Sequence, residues 1–171
     1  MAKAGSSKAG ARAYWLMKSE PHVYSIDDMR AAGEGIWEGV RNYQARNFMR
    51  EMQVGDLAIF YHSSAKPPGA AGIVQVSKLA FPDPTQLDNK SAYFDPKSAE
   101  LVAQDKPPRW DCVAVRFIEK FNVEVPLAAL KANAKLTEMR VTQKGSRLSV
   151  MPVDKVHFAE VLRMASAKTR P

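Results

Sequence analysis

No apolar run in this chain is much longer than the five residues Leu57-Ala58-Ile59-Phe60-Tyr61. A membrane-spanning helix needs roughly 18 or more, so the apolar side chains must be buried by short segments folding on one another. Tyr14 to Met17 reads as a buried strand, and Leu57 to His62 reads as another. Two short helices are predicted between them. Ser25-Ile26-Asp27-Asp28 supplies an N-cap followed by acids in the first turn, and Gly33 and Gly35 end that helix. The second spans 43–52 with Asn42 as N-cap. Its apolar stripe is Ala45, Phe48, Met49 and Met52, and Tyr43, Arg46 and Arg50 face away from it.

Val54-Gly55-Asp56 reads as a turn, Lys66 to Gly69 as a loop, and Ala71 to Leu79 as a strand able to pair with the previous one. Residues 81–110 carry Pro82, Pro84, Pro96, Pro107 and Pro108 and read as one long loop, a kind that is often functional. Val113, Val115, Phe117, Phe121, Val123 and Val125 then alternate with mostly polar neighbours, the period-2 signal of a strand. Pro126 opens a short helix through Ala132, and 135–140 is expected to add a helical turn. Gly145 to Val150 is a loop leading into a strand. Pro152 is expected to open a final helix with Phe158, Val161, Leu162 and Ala165 on its buried face. The strands are not regularly interleaved with long helices, which argues against a doubly wound sheet. The expected class is α+β, a small mixed β-barrel flanked by short helices.

Charge is a weaker guide than its sum suggests. The 171 residues include 25 Lys plus Arg against 18 Asp plus Glu, a net of +7. Lys3, Lys8 and Arg12 lie in 1–13 and Arg163, Lys168 and Arg170 in 161–171, with no acid in either stretch. Those six removed, 19 basic residues face 18 acidic ones. A nucleic-acid argument must therefore rest on where charges sit. Residues 1–13 are expected to be a disordered basic tail, 14–164 the domain, and 165–171 a basic C-terminal tail. The first residues lack the apolar stretch of a signal peptide, and a single cysteine, Cys112, excludes an internal disulfide. A cytoplasmic monomer is expected (nuclear if the source is eukaryotic), with no membrane association.

His22, His62 and His157 share no ligand spacing with one another or with Cys112, so neither a metal nor a cofactor is expected. There is no Gly-x-Ser-x-Gly elbow and no phosphate-cradling glycine loop. An enzyme acting on a nucleotide or small molecule is the alternative reading, with Glu20, Glu38 or His62 as acid or base. Binding has better material. Trp37 lies between loop glycines and Tyr61 ends a strand, while Ser19 and Asn42 offer short polar groups for the edge of a flat ring. Stacking contributes on the order of 1–3 kcal/mol per base. Arg41, Arg46, Arg50, Lys144 and Arg147 are the candidate phosphate contacts.

Trp15-Leu16-Met17-Lys18-Ser19-Glu20-Pro21 and the stretch Trp37 to Phe48 resemble the EVE domain family. Val54 to Asp56, Tyr61 to Ser63, Ala80 to Thr85, Tyr93 to Ser98, Pro108 to Trp110 and Ser146 to Val150 extend the resemblance, in order, over about 14–164. It implies a PUA-like mixed β-barrel of about five to six strands flanked by short helices, related to YTH and ASCH domains. It also implies a non-catalytic module that takes an extruded, modified nucleobase of DNA or RNA into a surface pocket. On that resemblance Lys18 and Ser19 lie on the first strand beside the pocket, and Trp37 is its aromatic wall. Gly39, Val40, Arg41 and Asn42 form the rim, with Tyr61 and His62 at a strand end. Arg147, Leu148 and Ser149 close the other side. YTH cages use two or three aromatics and only Trp37 is placed here, which leaves room for a base with a bulkier substituent. Trp37 is read as a pocket residue, so that truncating it leaves the fold intact.

Overall fold

Tyr14 and Leu16 point to one side of the opening strand and Trp15 and Met17 to the other, and both sides are buried. In the computed structural model, which describes residues 10–171, this double burial runs through a single six-stranded mixed sheet. The elements in chain order are β1 (Tyr14–Ser19), α1 (Ile26–Ala32), β2 (Glu34–Ile36), α2 (Tyr43–Glu51), β3 (Leu57–His62) and β4 (Gly69–Pro82). They continue with α3 (Pro96–Ala103), β5 (Asp111–Pro126), α4 (Leu127–Ala132), β6 (Val150–Val153) and α5 (Lys155–Met164). The strand order is β2-β5-β4-β3-β1-β6. β1 and β3 are parallel, from Tyr14 opposite Leu57 to Ser19 opposite His62, and every other pairing is antiparallel.

The α+β class holds, but the sheet is not closed into a barrel. Its edges β2 and β6 do not pair with each other. They are three and four residues long, and helices cover both faces instead of one face enclosing a core. Ile26 and Met29 of α1 and Ala45 and Met49 of α2 pack on one face. Leu130 of α4 and Phe158, Val161 and Leu162 of α5 pack on the other.

Helix starts follow their local chemistry. Ser25 accepts from the Asp28 amide while Asp28 accepts from the Ser25 amide, a complete capping box. Asn42 caps α2 as expected. Three expectations are corrected. Pro152 sits in β6 opposite Trp15, and the last helix starts at Lys155. An edge strand tolerates a proline because its missing N–H faces outward. The 81–110 segment is not all loop: it carries a 3₁₀ turn (Pro84–Leu87) and α3, which Asp95 caps and Pro96 opens. Finally, Gly35 does not end α1 but lies in β2, paired with Val115.

Of the expected tail 1–13, residues 1–9 lie outside the described residues. The Ala13 amide donates to buried Asp56 (3.0 Å). At the other end the Lys168 and Thr169 amides donate to the Glu119 carboxylate (both 2.8 Å), and Arg163 is paired with Glu160. Among the described residues, no helix is long and apolar enough to cross a membrane.

Candidate functional site

β1 and β3 run side by side and end together at Ser19 and His62. In open sheets, loops leaving the carboxyl ends of neighbouring parallel strands commonly frame a binding crevice. A cavity of about 910 Å³ opens at this end, within the size range of ligand sites. β1 contributes Lys18 and Ser19, and the turn after it contributes Glu20, Val23 and Tyr24. The stretch from Gly35 to Arg41 forms a wall, and Ser63, Tyr93, Arg147 and Ser149 complete the lining.

Trp37 is set by the sheet. β2 pairs with β5, and one residue later the Trp37 amide donates to the Val113 carbonyl at 2.7 Å. The indole stands edge-on to Phe60, 5.2 Å between ring centroids, and is 8% exposed. It therefore belongs both to the core and to the cavity wall, and with this packing truncation to alanine is expected to cost stability as well as binding.

The rim behind Trp37 is tied down by one buried acid. Asp83 is fully buried and accepts from the Gly39 amide (2.8 Å), the Arg41 guanidinium (2.9 Å), and the Thr85 amide and hydroxyl. Burial pushes this carboxyl up, but the bonds from Thr85, Gly39 and Arg41 outweigh it and hold it below the usual carboxylate range. Gly39 has φ +82°, and a Cβ there would lie 2.8 Å from the Tyr93 ring. Gly39→Ala is therefore expected to destabilise by roughly 1–3 kcal/mol, read as a lowered Tm, and to push Tyr93 away from the wall.

Three aromatic residues thus border the cavity: Trp37, Tyr24 and Tyr93. The sequence reading placed only the first. Tyr93 carried a signal, since it opens one of the motifs that resemble the family. Tyr24 carried none.

The remaining expected site residues divide cleanly. The cavity gathers Lys18, Ser19, Trp37, Gly39, Val40 and Ser149, with Arg41 and Arg147. Asn42, Tyr61, His62 and Leu148 lie outside the lining and have structural partners. Asn42 caps α2 through the Ala45 amide (3.0 Å). Tyr61 is in the core on the α5 side, where burial pushes its phenol up to about 12. Buried His62 accepts from the Ile26 amide (3.1 Å) at Nε2, and its Nδ1 lies 3.2 Å from Glu124. Leu148 packs against both core clusters.

The candidate phosphate contacts are redistributed in the same way. Arg41 is engaged by Asp83, by the Tyr93 carbonyl (2.6 Å) and by Thr85. Arg46 donates to the Arg109 carbonyl (2.8 Å) and lies over the Tyr43 ring, and Arg50 is paired with Asp111. Lys18 donates to the Ser146 carbonyl (3.3 Å), and burial pulls its ammonium down. Arg147 and Lys144 are exposed, with no ion pair among the described residues. Of the acids on the lining, Glu20 lies 3.2 Å from His22, whereas Glu38 has no partner among the described residues. No group of three or more metal-ligating side chains occurs among the described residues. Cys112 is buried, and burial pushes its thiol up to about 12, away from the thiolate form a nucleophile needs.

The EVE domain model matches residues 13–164. Thymocyte nuclear protein 1 of Danio rerio is 40% identical over 169 residues, which is 88% of this chain and 71% of that protein. A crystal structure of a Pseudomonas putida protein is similar at 48% identity and a TM-score of 0.84, over 90% of this chain and 99% of the other. A crystal structure of human THYN1 protein in complex with 5-methylcytosine containing DNA is similar at 38% identity and a TM-score of 0.80, over 93% and 99%. A Zygosaccharomyces rouxii YTH domain in complex with N6-methyladenosine RNA reaches a TM-score of 0.53 at 11% identity, over 90% and 86%, a likeness of fold alone.

Proposed function

The chain belongs to the EVE domain family, and from that membership we propose that it is a non-catalytic module that binds a modified nucleobase in DNA or RNA. The modified nucleotide leaves its strand and enters the cavity at the end of β1 and β3, its ring against Trp37, with Tyr24 and Tyr93 bounding the same space. The observation that carries this reading is the presence of three aromatic residues in the lining of one cavity of about 910 Å³. It gains support from the 38% identity to a protein solved with 5-methylcytosine containing DNA.

Energetics set the order of preferred substrates. Extrusion costs a few kcal/mol and least for an unpaired base, while stacking on an aromatic face contributes about 1–3 kcal/mol. Single strands are therefore expected to bind at least as well as duplexes of the same sequence. In this reading the phosphate contacts are Arg147, on the cavity lining, and Lys144, three residues before it, both exposed and without ion pairs among the described residues. Arg41 acts by holding the rim.

Fluorescence anisotropy with labelled strands tests this. Each strand carries one 5-methylcytosine or an unmodified cytosine at the same position, single-stranded or in duplex, at several salt concentrations. The methylated strand is expected to bind more tightly, and log K to fall with log salt at a slope near −1.4 for two phosphate contacts on a single strand. Equal binding of both strands together with a flat salt response would overturn the reading.

A further inference from the structure

Tyr43 opens α2 directly after its Asn42 cap and turns its side chain to solvent, at 49% exposure. Its ring is nonetheless held. It stacks on the buried Trp110 indole, 4.8 Å between centroids at 28°, and its hydroxyl accepts from Arg109 Nη1 at 3.0 Å. Trp110 and Arg109 are fixed in turn by Asp95, which accepts from the indole (2.9 Å) and from the guanidinium (2.8 Å). Three residues on, the Arg46 guanidinium lies 4.8 Å from the Tyr43 centroid and only 6.0 Å from that of Trp110. It therefore flanks the pair and leaves open the face of Tyr43 turned away from Trp110. Arg109 and Arg50 are balanced by Asp95 and Asp111, whereas Arg46 has no carboxylate partner among the described residues.

We propose that this platform, the open face of Tyr43 with Arg46 beside it, stacks a base neighbouring the one extruded into the cavity on the same strand. The inference rests on the proposed function and extends it from one base to a second. Three observations select a nucleobase as the occupant. The exposed surface is a flat π-face of fixed orientation, which any base can cover whatever the sequence. The unbalanced positive charge beside it suits a partner carried on a polyanion. The platform is also continuous with the cavity through Arg41, a lining residue. Its guanidinium lies 5.8 Å from the Tyr93 ring on the cavity side and 5.7 Å from the Trp110 ring on which Tyr43 rests. Arg41 is itself locked by Asp83 and the Tyr93 carbonyl, so cavity and platform keep a set separation. A strand with one base in the cavity can then lay a neighbour on a surface that needs no reordering to receive it.

The experiment uses a single strand with one 5-methylcytosine, and versions of it with an abasic site at each nearby position on either side. Wild type is expected to lose affinity by about five- to 150-fold at one flanking position, the equivalent of one stacked base. Tyr43→Leu keeps apolar cover over Trp110 without the flat face. It is expected to bind the intact strand that much more weakly and to be indifferent to the flanking abasic site. Tyr43→Phe keeps the ring and loses only the bond from Arg109, and is expected to bind as wild type does. Thermal unfolding establishes that both variants are folded. Wild type that tolerates every flanking abasic site would overturn the platform, and this outcome needs no variant. Tyr43→Leu that binds weakly yet keeps the wild-type abasic penalty, or Tyr43→Phe as weak as Tyr43→Leu, would also overturn it, because Tyr43 would then act only by supporting Trp110 and Arg109. Each of these results leaves a base-binding cavity standing. Wild type that binds the methylated and the unmodified strand alike would instead overturn the proposed function, and with it the platform's place beside an extruded base.

Discussion

Replacing Trp37 with leucine is expected to lower the affinity for a single strand carrying 5-methylcytosine by about five- to 150-fold, the equivalent of 1–3 kcal/mol. Leucine keeps apolar volume against Phe60 but removes the flat ring face. Alanine is the poorer choice. The side chain is 8% exposed and sits in the core cluster with Phe60, Val113 and Val115, and truncating a buried tryptophan costs about 3–5 kcal/mol of stability. Near-UV circular dichroism and thermal unfolding establish that the leucine variant is folded, and anisotropy then reads its affinity. Folded Trp37→Leu that binds as wild type does would remove stacking from the mechanism.

Asp83→Ala is expected to destabilise the fold by about 3 kcal/mol, because removing one partner of a buried pair leaves the other uncompensated. The substitution strips acceptors from the Gly39 amide, the Arg41 guanidinium and the Thr85 amide and hydroxyl. Arg41 keeps some solvent contact at 23% side-chain exposure, which places the cost at the low end of the range for buried pairs. Urea unfolding measures it as a lowered midpoint at constant slope, and a loss below about 1 kcal/mol would show that Asp83 does not anchor the rim. Acid should mimic the substitution in part. The Asp83 carboxyl is held below its ordinary value in the folded chain, so its contribution is complete above that ordinary value and is lost as pH falls toward the folded one. Asp95 acts in the same sense. The Arg109 guanidinium, opposed by burial and aided by Ser98 and Trp110, holds its carboxyl well below the usual range. Stability is therefore expected to decline on the acid side of the carboxylate range, and Asp83→Ala to flatten part of that decline.

Features that act over a few residues were legible. The Ser25 and Asn42 caps work through side-chain bonds spanning three positions, and the limits of β3 match its apolar run. Features decided by distant partners were not. Whether the sheet closes depends on how β2 and β6 meet the rest of the chain, and nothing within Glu34–Ile36 or Val150–Val153 encodes that. Pro152 suits either the first turn of a helix or an edge strand, and its pairing opposite Trp15 decided the matter. α3 was hidden by the prolines around it, although Asp95-Pro96 is itself a helix-start signal. In the cavity, Trp37 and its neighbours were legible as aromatic and polar residues beside glycines. Asp83 looked like one more loop acid until the fold brought it under Gly39 and Arg41. Arg46 and Arg50 looked free on an exposed helix face, until Arg109 and Asp111 of distant segments were found to engage them.

The most direct measurement of whether a base enters the cavity compares a single strand carrying 5-methylcytosine with the same strand carrying an abasic site at that position. Both are titrated into wild type and into Trp37→Leu. A base held against Trp37 requires wild type to bind the abasic strand at least five- to tenfold more weakly, and Trp37→Leu to bind the two strands nearly alike. Equal binding of the two strands by wild type, or a full loss that persists in Trp37→Leu, would contradict it.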